Sequence, residues 1–238
     1  MLNKFKIFLT IVLFIIFGSF GLAGCGGDKQ ESSGGSQTAD TGQEAAQSTD
    51  RESARDLLAK GQKNEGMTCD YVLTVEDIIV RGKMWAHGDN VKNETTAEGQ
   101  KIIMLSDGNT FYSYNPAENT AIKYTDEDMQ GDSDEIDTPL DYTEDVDGED
   151  VITELETVNH EGVKCRVLLA REKDSQDEAK MWVREDCGLP VRVEETDANG
   201  TKSVMEYKNL EVGALPADIF ELPADVTVRD ISEMISRM

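Results

Sequence analysis

Apolar and polar positions follow three successive regimes along this chain. The first is continuous: Ile7 to Leu22 carries no charge and is almost wholly apolar, with Lys4 and Lys6 before it and Ala23-Gly24-Cys25 after it. The second is empty: from Gly26 to Asp50 there is no large apolar residue. The third alternates. Ala54, Leu57 and Leu58 recur at helical spacing within Arg51 to Lys63, and from Cys69 onward the period drops to two.

The first regime predicts a secretory signal over residues 1–24. Leu22-Ala23-Gly24-Cys25 matches a bacterial lipobox, so Cys25 is the expected lipidation site, acylated and membrane-anchored on the extracytoplasmic face. An uncleaved transmembrane anchor competes with this reading, because about 20 such residues span a bilayer. Small residues ending on a cysteine favour the lipobox. The second regime, residues 25–50, predicts a flexible tether, since nothing in it offsets the entropy of ordering. A coil of that length spans roughly 25–30 Å.

The third regime, residues 51–238, predicts one domain. Arg51 to Lys63 reads as a short helix, with Ser48, Thr49 or Asp50 as N-cap. Strands follow over Cys69 to Val75, Val80 to Ala86, Val91 to Thr96, Lys101 to Leu105, Thr110 to Tyr114 and Thr120 to Tyr124, a meander punctuated by turns such as Ser106-Asp107-Gly108-Asn109. Residues 125–150 interrupt it with thirteen Asp or Glu and no Lys or Arg, a block that predicts a solvated loop with a short helix near Leu140. Strands resume over Val151 to Thr157, Val163 to Leu169, Lys180 to Arg184, Leu189 to Thr196 and Lys202 to Leu210. In the second of these, Val163, Cys165, Val167 and Leu169 are expected to point inward. An apolar segment from Pro216 to Val228 and a short amphipathic helix through Ile231, Met234, Ile235 and Met238 close the chain. The fold class is α+β, mainly antiparallel β.

Charge narrows the partners. Acidic residues outnumber basic ones 48 to 23, and loss of the signal with its two lysines takes the formal charge from −25 to −27. That excludes nucleic acid and argues against a broad electrostatic surface for anionic lipids. Among the cysteines, Cys69, Cys165 and Cys187 remain besides Cys25, an odd number permitting at most one internal pair. Cys165 begins one strand and Cys187 ends the next, so the hairpin brings them toward disulfide range, about 4.4–6.8 Å between Cα atoms. Two buried thiols are the alternative.

Catalytic motifs are not found: the two histidines, His87 and His160, fall in predicted turns, and no GxSxG, HExxH, P-loop or GxGxxG occurs. A non-enzymatic protein without a cofactor is expected. Asp126 to Asp137 is similar to a calcium loop, with Asp126, Asp128, Asp132 and Asp134 as candidate ligands. Gln130, Ser133 and Asp137 depart from that pattern, and a solvated acidic loop is the competing reading.

The order Lys180-Met181-Trp182-Val183, Cys187-Gly188-Leu189-Pro190-Val191-Arg192-Val193-Glu194, Val204 to Asn209 and Ile219-Phe220-Glu221-Leu222-Pro223 resembles the LolA/LolB-like lipoprotein-sorting family. The resemblance covers about residues 52–228 through short motifs. It implies a strongly curved, incomplete barrel with helices over the open side and a hydrophobic cavity that takes acyl chains. The lining it suggests is Leu73, Val75, Met84, Ile102, Met104, Met181 and Val183, with Trp85 or Trp182 near a rim. A solid core made of the same residues is the bland alternative. The chain departs from the soluble carriers of the family in carrying its own lipid site, so an anchored carrier or acceptor is implied. A second reading follows from clostridial lipoproteins of this fold with a GerS-like germination role: an interaction module that binds a cell-envelope enzyme. Apolar residues on both faces of Lys101 to Leu105 favour a covered sheet, with or without a cavity beneath the cover.

Overall fold

The computed structural model of the chain describes residues 52–97, 99–125, 128, 136–144, 151–171 and 177–232. The signal, the lipobox with Cys25, the tether, most of the calcium-like loop and residues 233–238 of the closing helix lie outside the described residues.

Helix α1 spans Ala54–Gly61. Its N-cap is Ser53 and not Ser48, Thr49 or Asp50, three to five residues later than the sequence suggests, because Ser53 and Asp56 form a reciprocal capping box. The strands are β1 (Gly66–Val75), β2 (Ile78–His87), β3 (Asn90–Ala97), β4 (Gln100–Ser106), β5 (Thr110–Asn115) and β6 (Thr120–Thr125). A one-turn helix, α2 (Asp141–Glu144), precedes β7 (Val151–His160), β8 (Val163–Arg171), β9 (Glu178–Arg184), β10 (Pro190–Thr196) and β11 (Lys202–Val212). A 3-10 turn at Ala217–Phe220 leads to β12 (Thr227–Asp230).

These strands form one open sheet of 12 strands in the order β12-β6-β5-β4-β3-β2-β1-β11-β10-β9-β8-β7. Two antiparallel meanders, β1 to β6 and β7 to β11, join where β1 pairs with β11. The exception to antiparallel pairing is β12, which adds parallel to β6.

Because neighbouring residues in a strand point to opposite sides, the register assigns each side chain to one of two faces. The inner face carries Cys69, Tyr71 and Leu73 of β1, Met205 and Tyr207 of β11, Val193 of β10, Met181 and Val183 of β9, and Leu168 of β8. Over them lie α1, with Leu57 and Leu58 buried, and residues 136–144, where Tyr142 meets Tyr207 edge to face at 6.5 Å. Fully burying each leucine is worth about 1.5–3 kcal/mol. α1 approaches the β9–β10 turn closely: a Cβ on Gly188, whose φ is +75°, would sit 2.2 Å from the Leu57 carbonyl oxygen. Glycine is required there on both counts.

Two expectations are corrected by this packing. The acidic stretch is not solvated throughout: Thr138, Tyr142 and Thr143 are buried, because the short apolar insert around Leu140 folds back onto the inner face. In β8 the inward set is Arg166, Leu168 and Ala170, paired with Val183, Met181 and Ala179, while Cys165, Val167 and Leu169 occupy the outer face. Both sets are largely buried, so alternation alone did not fix the phase. Arg166 tolerates the interior because its guanidinium pairs with Glu154 and donates to the Glu52 carbonyl at 2.8 Å.

A second, smaller core lies on the outer face, where Ile103, Leu105, Tyr114 and Ala121 pack beneath Leu222 and Val226 of the closing segment. β4 therefore buries apolar residues on a face that β9 and β10 leave to charged ones, as the two-sided pattern of Lys101 to Leu105 suggests.

Candidate ligand-binding face

Over β2 to β6 the inner face is uncharged. The register places Val80, Gly82, Met84 and Ala86 of β2 there, with Val91, Asn93 and Thr95 of β3. Ile102, Met104 and Ser106 of β4, Phe111 and Ser113 of β5, and Ile122 and Tyr124 of β6 continue it. In a chain with 30% charged residues, a face without one is not a random draw. α1 and residues 136–144 cover the other half, so Val80, Ile102 and Met104 stay half-buried and Ile122 is 36% exposed. Phe111 and Tyr124 stack here with ring centroids 5.4 Å apart, and the Tyr124 hydroxyl donates to the Met104 sulfur at 4.0 Å.

Tyr71 divides the covered half from the open one. Its ring crosses Gly82, where an added Cβ would lie 2.5 Å from the hydroxyl oxygen. That hydroxyl donates to Asn93 Oδ1 at 2.9 Å and lies 2.6 Å from Thr95 Oγ1. Burial pushes the phenol up to about 12, so it stays a neutral donor. The polar groups at this boundary are thus engaged with one another.

Of the candidate lining residues, Leu73, Val75, Met84, Ile102, Met104, Met181 and Val183 share the inner face. Leu73, Val75, Met84, Met181 and Val183 are at most 3% exposed and form core; Ile102 and Met104 line the open half. Trp85 and Trp182 are not on this rim: their register puts both on the outer face. Lys83 and Lys92 lie over Trp85, 5.1 and 4.9 Å from its ring centre. Lys180 and Arg192 lie over Trp182, at 4.7 and 5.3 Å. The sequence reading missed Phe111, Ser113, Ile122 and Tyr124. The signal was present, since β5 and β6 alternate aromatic or aliphatic residues with polar ones.

Cys69, Cys165 and Cys187 are free, buried thiols, and no Cys165–Cys187 bond is formed. Cys187 lies in the turn after β9, three residues beyond the strand end. Burial pushes Cys165 up to about 11 against the pull of the Arg184 guanidinium. Among the described residues no group of three or more His, Cys, Asp or Glu is placed to hold a metal ion. Asp128 instead caps the end of β6, accepting from the Thr125 amide and hydroxyl, each at 2.9 Å. Asp126, Asp132 and Asp134 lie outside the described residues. His87 Nδ1 accepts from the Leu215 amide at 3.3 Å, and His160 rests against Trp182.

Buried Glu195 is the carboxylate beneath the 136–144 cover. It accepts from Ser203 Oγ at 3.2 Å, and burial raises its proton affinity above that of an ordinary carboxylate. Among the described residues no helix is long and apolar enough to cross a membrane.

No protein-family model and no curated protein matches the chain. Solved structures do. An uncharacterized conserved protein from Thermus thermophilus is 11% identical, with 75% of this chain and 99% of that one covered at a TM-score of 0.52. MucB of Pseudomonas aeruginosa, solved in complex with MucA, is 16% identical over 74% of this chain and 63% of its own, at a TM-score of 0.48. A LolA superfamily protein from Nitrosomonas europaea is 15% identical over 72% of this chain and 98% of its own, at a TM-score of 0.36. The likeness to the Thermus protein is one of fold, and neighbours of this sheet include proteins of the LolA superfamily.

Proposed function

We propose that the chain is a lipid-anchored, non-enzymatic protein of the extracytoplasmic membrane face whose open inner half takes an apolar ligand, an acyl chain being the class that the sequence resemblance implies. One observation carries the reading: β2 to β6 present an inner face without a single charged side chain, half covered, in a chain of net charge −25. Contact with an acyl chain needs no specific polar group, because each buried methylene contributes about 0.8 kcal/mol. The half-exposed Ile102, Met104 and Ile122 supply such contact, and Asn93, Thr95 and Tyr71 are satisfied among themselves. Anchoring through Cys25 would keep the domain close to the membrane that supplies such a ligand.

The test is uptake of a fluorescent fatty acid, with native mass spectrometry of gently purified protein. Wild type is expected to bind, and Ile102→Arg or Met104→Arg to weaken binding at least tenfold while the melting temperature holds. Wild type that carries no lipid and takes up no probe would end the acyl-chain reading. The envelope-enzyme interaction module would then replace it, with pull-down on an Ile122→Arg background as its own test.

A further inference from the structure

A charge segregation runs along the outer face, and it repeats. Lys83-Met84-Trp85 in β2 recurs as Lys180-Met181-Trp182 in β9. Each tryptophan has a second cation directly across the ladder: Lys92 of β3 opposite Trp85, and Arg192 of β10 opposite Trp182. Each of these is followed two residues on by a glutamate that pairs with it, Glu94 at 3.1 Å and Glu194 at 2.6 Å. Lys83 and Lys180 stand across from Asp70 and Glu194, make no ion pair of 4.0 Å or less among the described residues, and are held over the rings. A ring beneath an ammonium fixes it in place through cation–π attraction. The two stations run the same way along the sheet. Four inter-strand steps separate β2 from β9, about 19 Å at the usual strand spacing.

Between the stations the outer face is mixed, with Asp70, Glu194 and Glu206 beside Arg192, Lys202 and Lys208, and Lys101 and Lys208 are ion-paired with Glu94 and with Glu161 and Glu206. Counting Arg81, Lys83, Lys92, Lys101, Lys123, Lys180, Arg184, Arg192, Lys202 and Lys208 against Asp70, Glu94, Glu178, Glu194, Glu206 and Glu211, basic residues still outnumber acidic ones on strands β1 to β6 and β9 to β11 of this face, the reverse of the whole chain. Ile79, 52% exposed, adds an apolar contact beside the first station. The chain-wide charge argues against a broad surface for anionic lipids, yet charges separated by more than about 8 Å are screened at physiological salt, so a local face acts on its own sign.

We infer that this outer face docks on an anionic bilayer surface, with Trp85 and Trp182 as interfacial anchors and Lys83 and Lys180 as headgroup contacts. Two like stations suit a partner that presents many identical anions in a plane rather than one bound ion. Where Cys25 is lipidated, the expected tether of 25 residues, spanning roughly 25–30 Å, adds to the docking by keeping the domain within reach of that plane. Tryptophan, apolar in body with one polar N–H, suits the headgroup boundary. Docking this way turns the open inner face away from the bilayer and the acidic remainder outward. The inference does not depend on the acyl-chain reading or on lipidation of Cys25.

The experiment is vesicle flotation of residues 25–238 carrying Cys25→Ser, which retain every described residue. The vesicles are phosphatidylcholine alone or phosphatidylcholine mixed with phosphatidylglycerol, at low and physiological salt. Binding is expected to the mixed vesicles alone and to fall with salt. Lys83→Gln with Lys180→Gln should weaken it about 30-fold, from roughly one tenfold step per 1.4 kcal/mol and about 1 kcal/mol per basic residue near the surface. Lys63→Gln with Lys164→Gln removes equal charge elsewhere and should leave binding unchanged. No flotation by the parent protein overturns the inference, as does equal loss in both double variants. Salt-sensitive binding to a soluble polyphosphate without flotation also overturns it and assigns the face to a soluble polyanion instead.

Discussion

β8 to β11 and β4 to β6 belong to one sheet, yet they bury opposite sides of it. In the first group the inner face is core, roofed by α1 and residues 136–144, and the outer face carries ion pairs such as Arg192 with Glu194 and Glu206. In the second the outer face is core, roofed by Leu222 and Val226, and the inner face is uncharged and only partly covered, with Phe111 and Tyr124 buried and Ile122 36% exposed. Among the described residues each side is roofed once but not everywhere. A solvated face needs charge, and the β2–β6 inner face has none, so the half left open is the half whose exposure calls for an occupant.

The sharpest way to break this contrast is to place one charge in each half. Leu73 is 2% exposed beneath the covered half. Leu73→Arg buries an uncompensated cation, which costs about 3–5 kcal/mol and is enough to unfold a domain of ordinary stability. Met104→Arg puts the same group on the open half, where the side chain reaches water, and should melt within a few degrees of wild type. Circular dichroism melts of both variants decide it. Equal destabilisation would mean that the open half is packed as tightly as the covered one.

Gly82→Ala tests the boundary itself. The new methyl meets the Tyr71 hydroxyl and ring at 2.5–2.6 Å, so the tyrosine must leave Asn93 and Thr95. A loss of about 1–3 kcal/mol in chemical denaturation is expected from the overlap alone. Tyr71→Phe relieves the hydroxyl contact alone, leaving the ring carbon at 2.6 Å and the Glu94 carbonyl oxygen at 2.5 Å, so the double variant should recover only a small part of that loss. A neutral Gly82→Ala would show that Tyr71 does not rest on this glycine.

Much of this division was legible before any coordinates. The period-two stretches give every strand from β1 to β11, and turns such as Asp197-Ala198-Asn199-Gly200 mark the hairpins. What sequence could not fix was phase and cover. β8 is apolar on both sides, so Cys165 and Val167 look as inward as Leu168 until Arg166 is seen paired with Glu154. Parallel addition of β12 depends on a return of the chain across the sheet, with Asn119 donating to the Asp225 carbonyl at 2.9 Å, a contact of high sequence separation. The two tryptophans look like rim residues of a cavity by composition. Their neighbours Lys83 and Lys180, on the same side of each strand, are the feature that places them outside.

Under the cover, Glu195 links the contrast to pH. Burial makes the carboxyl hold its proton to a higher pH in the folded chain than in the unfolded one. Its contribution to stability is therefore fully present below the unfolded value and is lost as pH rises through the folded one. Glu195→Gln keeps the neutral form throughout. The variant should match wild type at low pH and exceed it at neutral pH, read as a widening gap in melting temperature. Asp186, held low by its hydrogen bonds from Arg184, acts in the opposite sense in both proteins and cancels from the difference. Parallel curves would mean that Glu195 is solvated and the cover loose.

The smallest expected effect concerns how the cover is held. α1 has eight residues, too few to persist alone, so packing and end contacts must keep it on the sheet. Its start is fixed by Ser53, whose hydroxyl accepts from the Asp56 amide at 3.1 Å, and its end by Asn64, which donates to the Cys187 carbonyl at 3.0 Å. Ser53→Ala removes the cap and should cost about 1 kcal/mol. If the covered half is one cooperative core, that cost appears as a uniform shift of the whole unfolding transition. If α1 can peel from an intact sheet, amide exchange will speed up in residues 54–61 alone while the midpoint stays in place. In that case, the inner face of β8 to β10 joins the open half as surface that a ligand can reach.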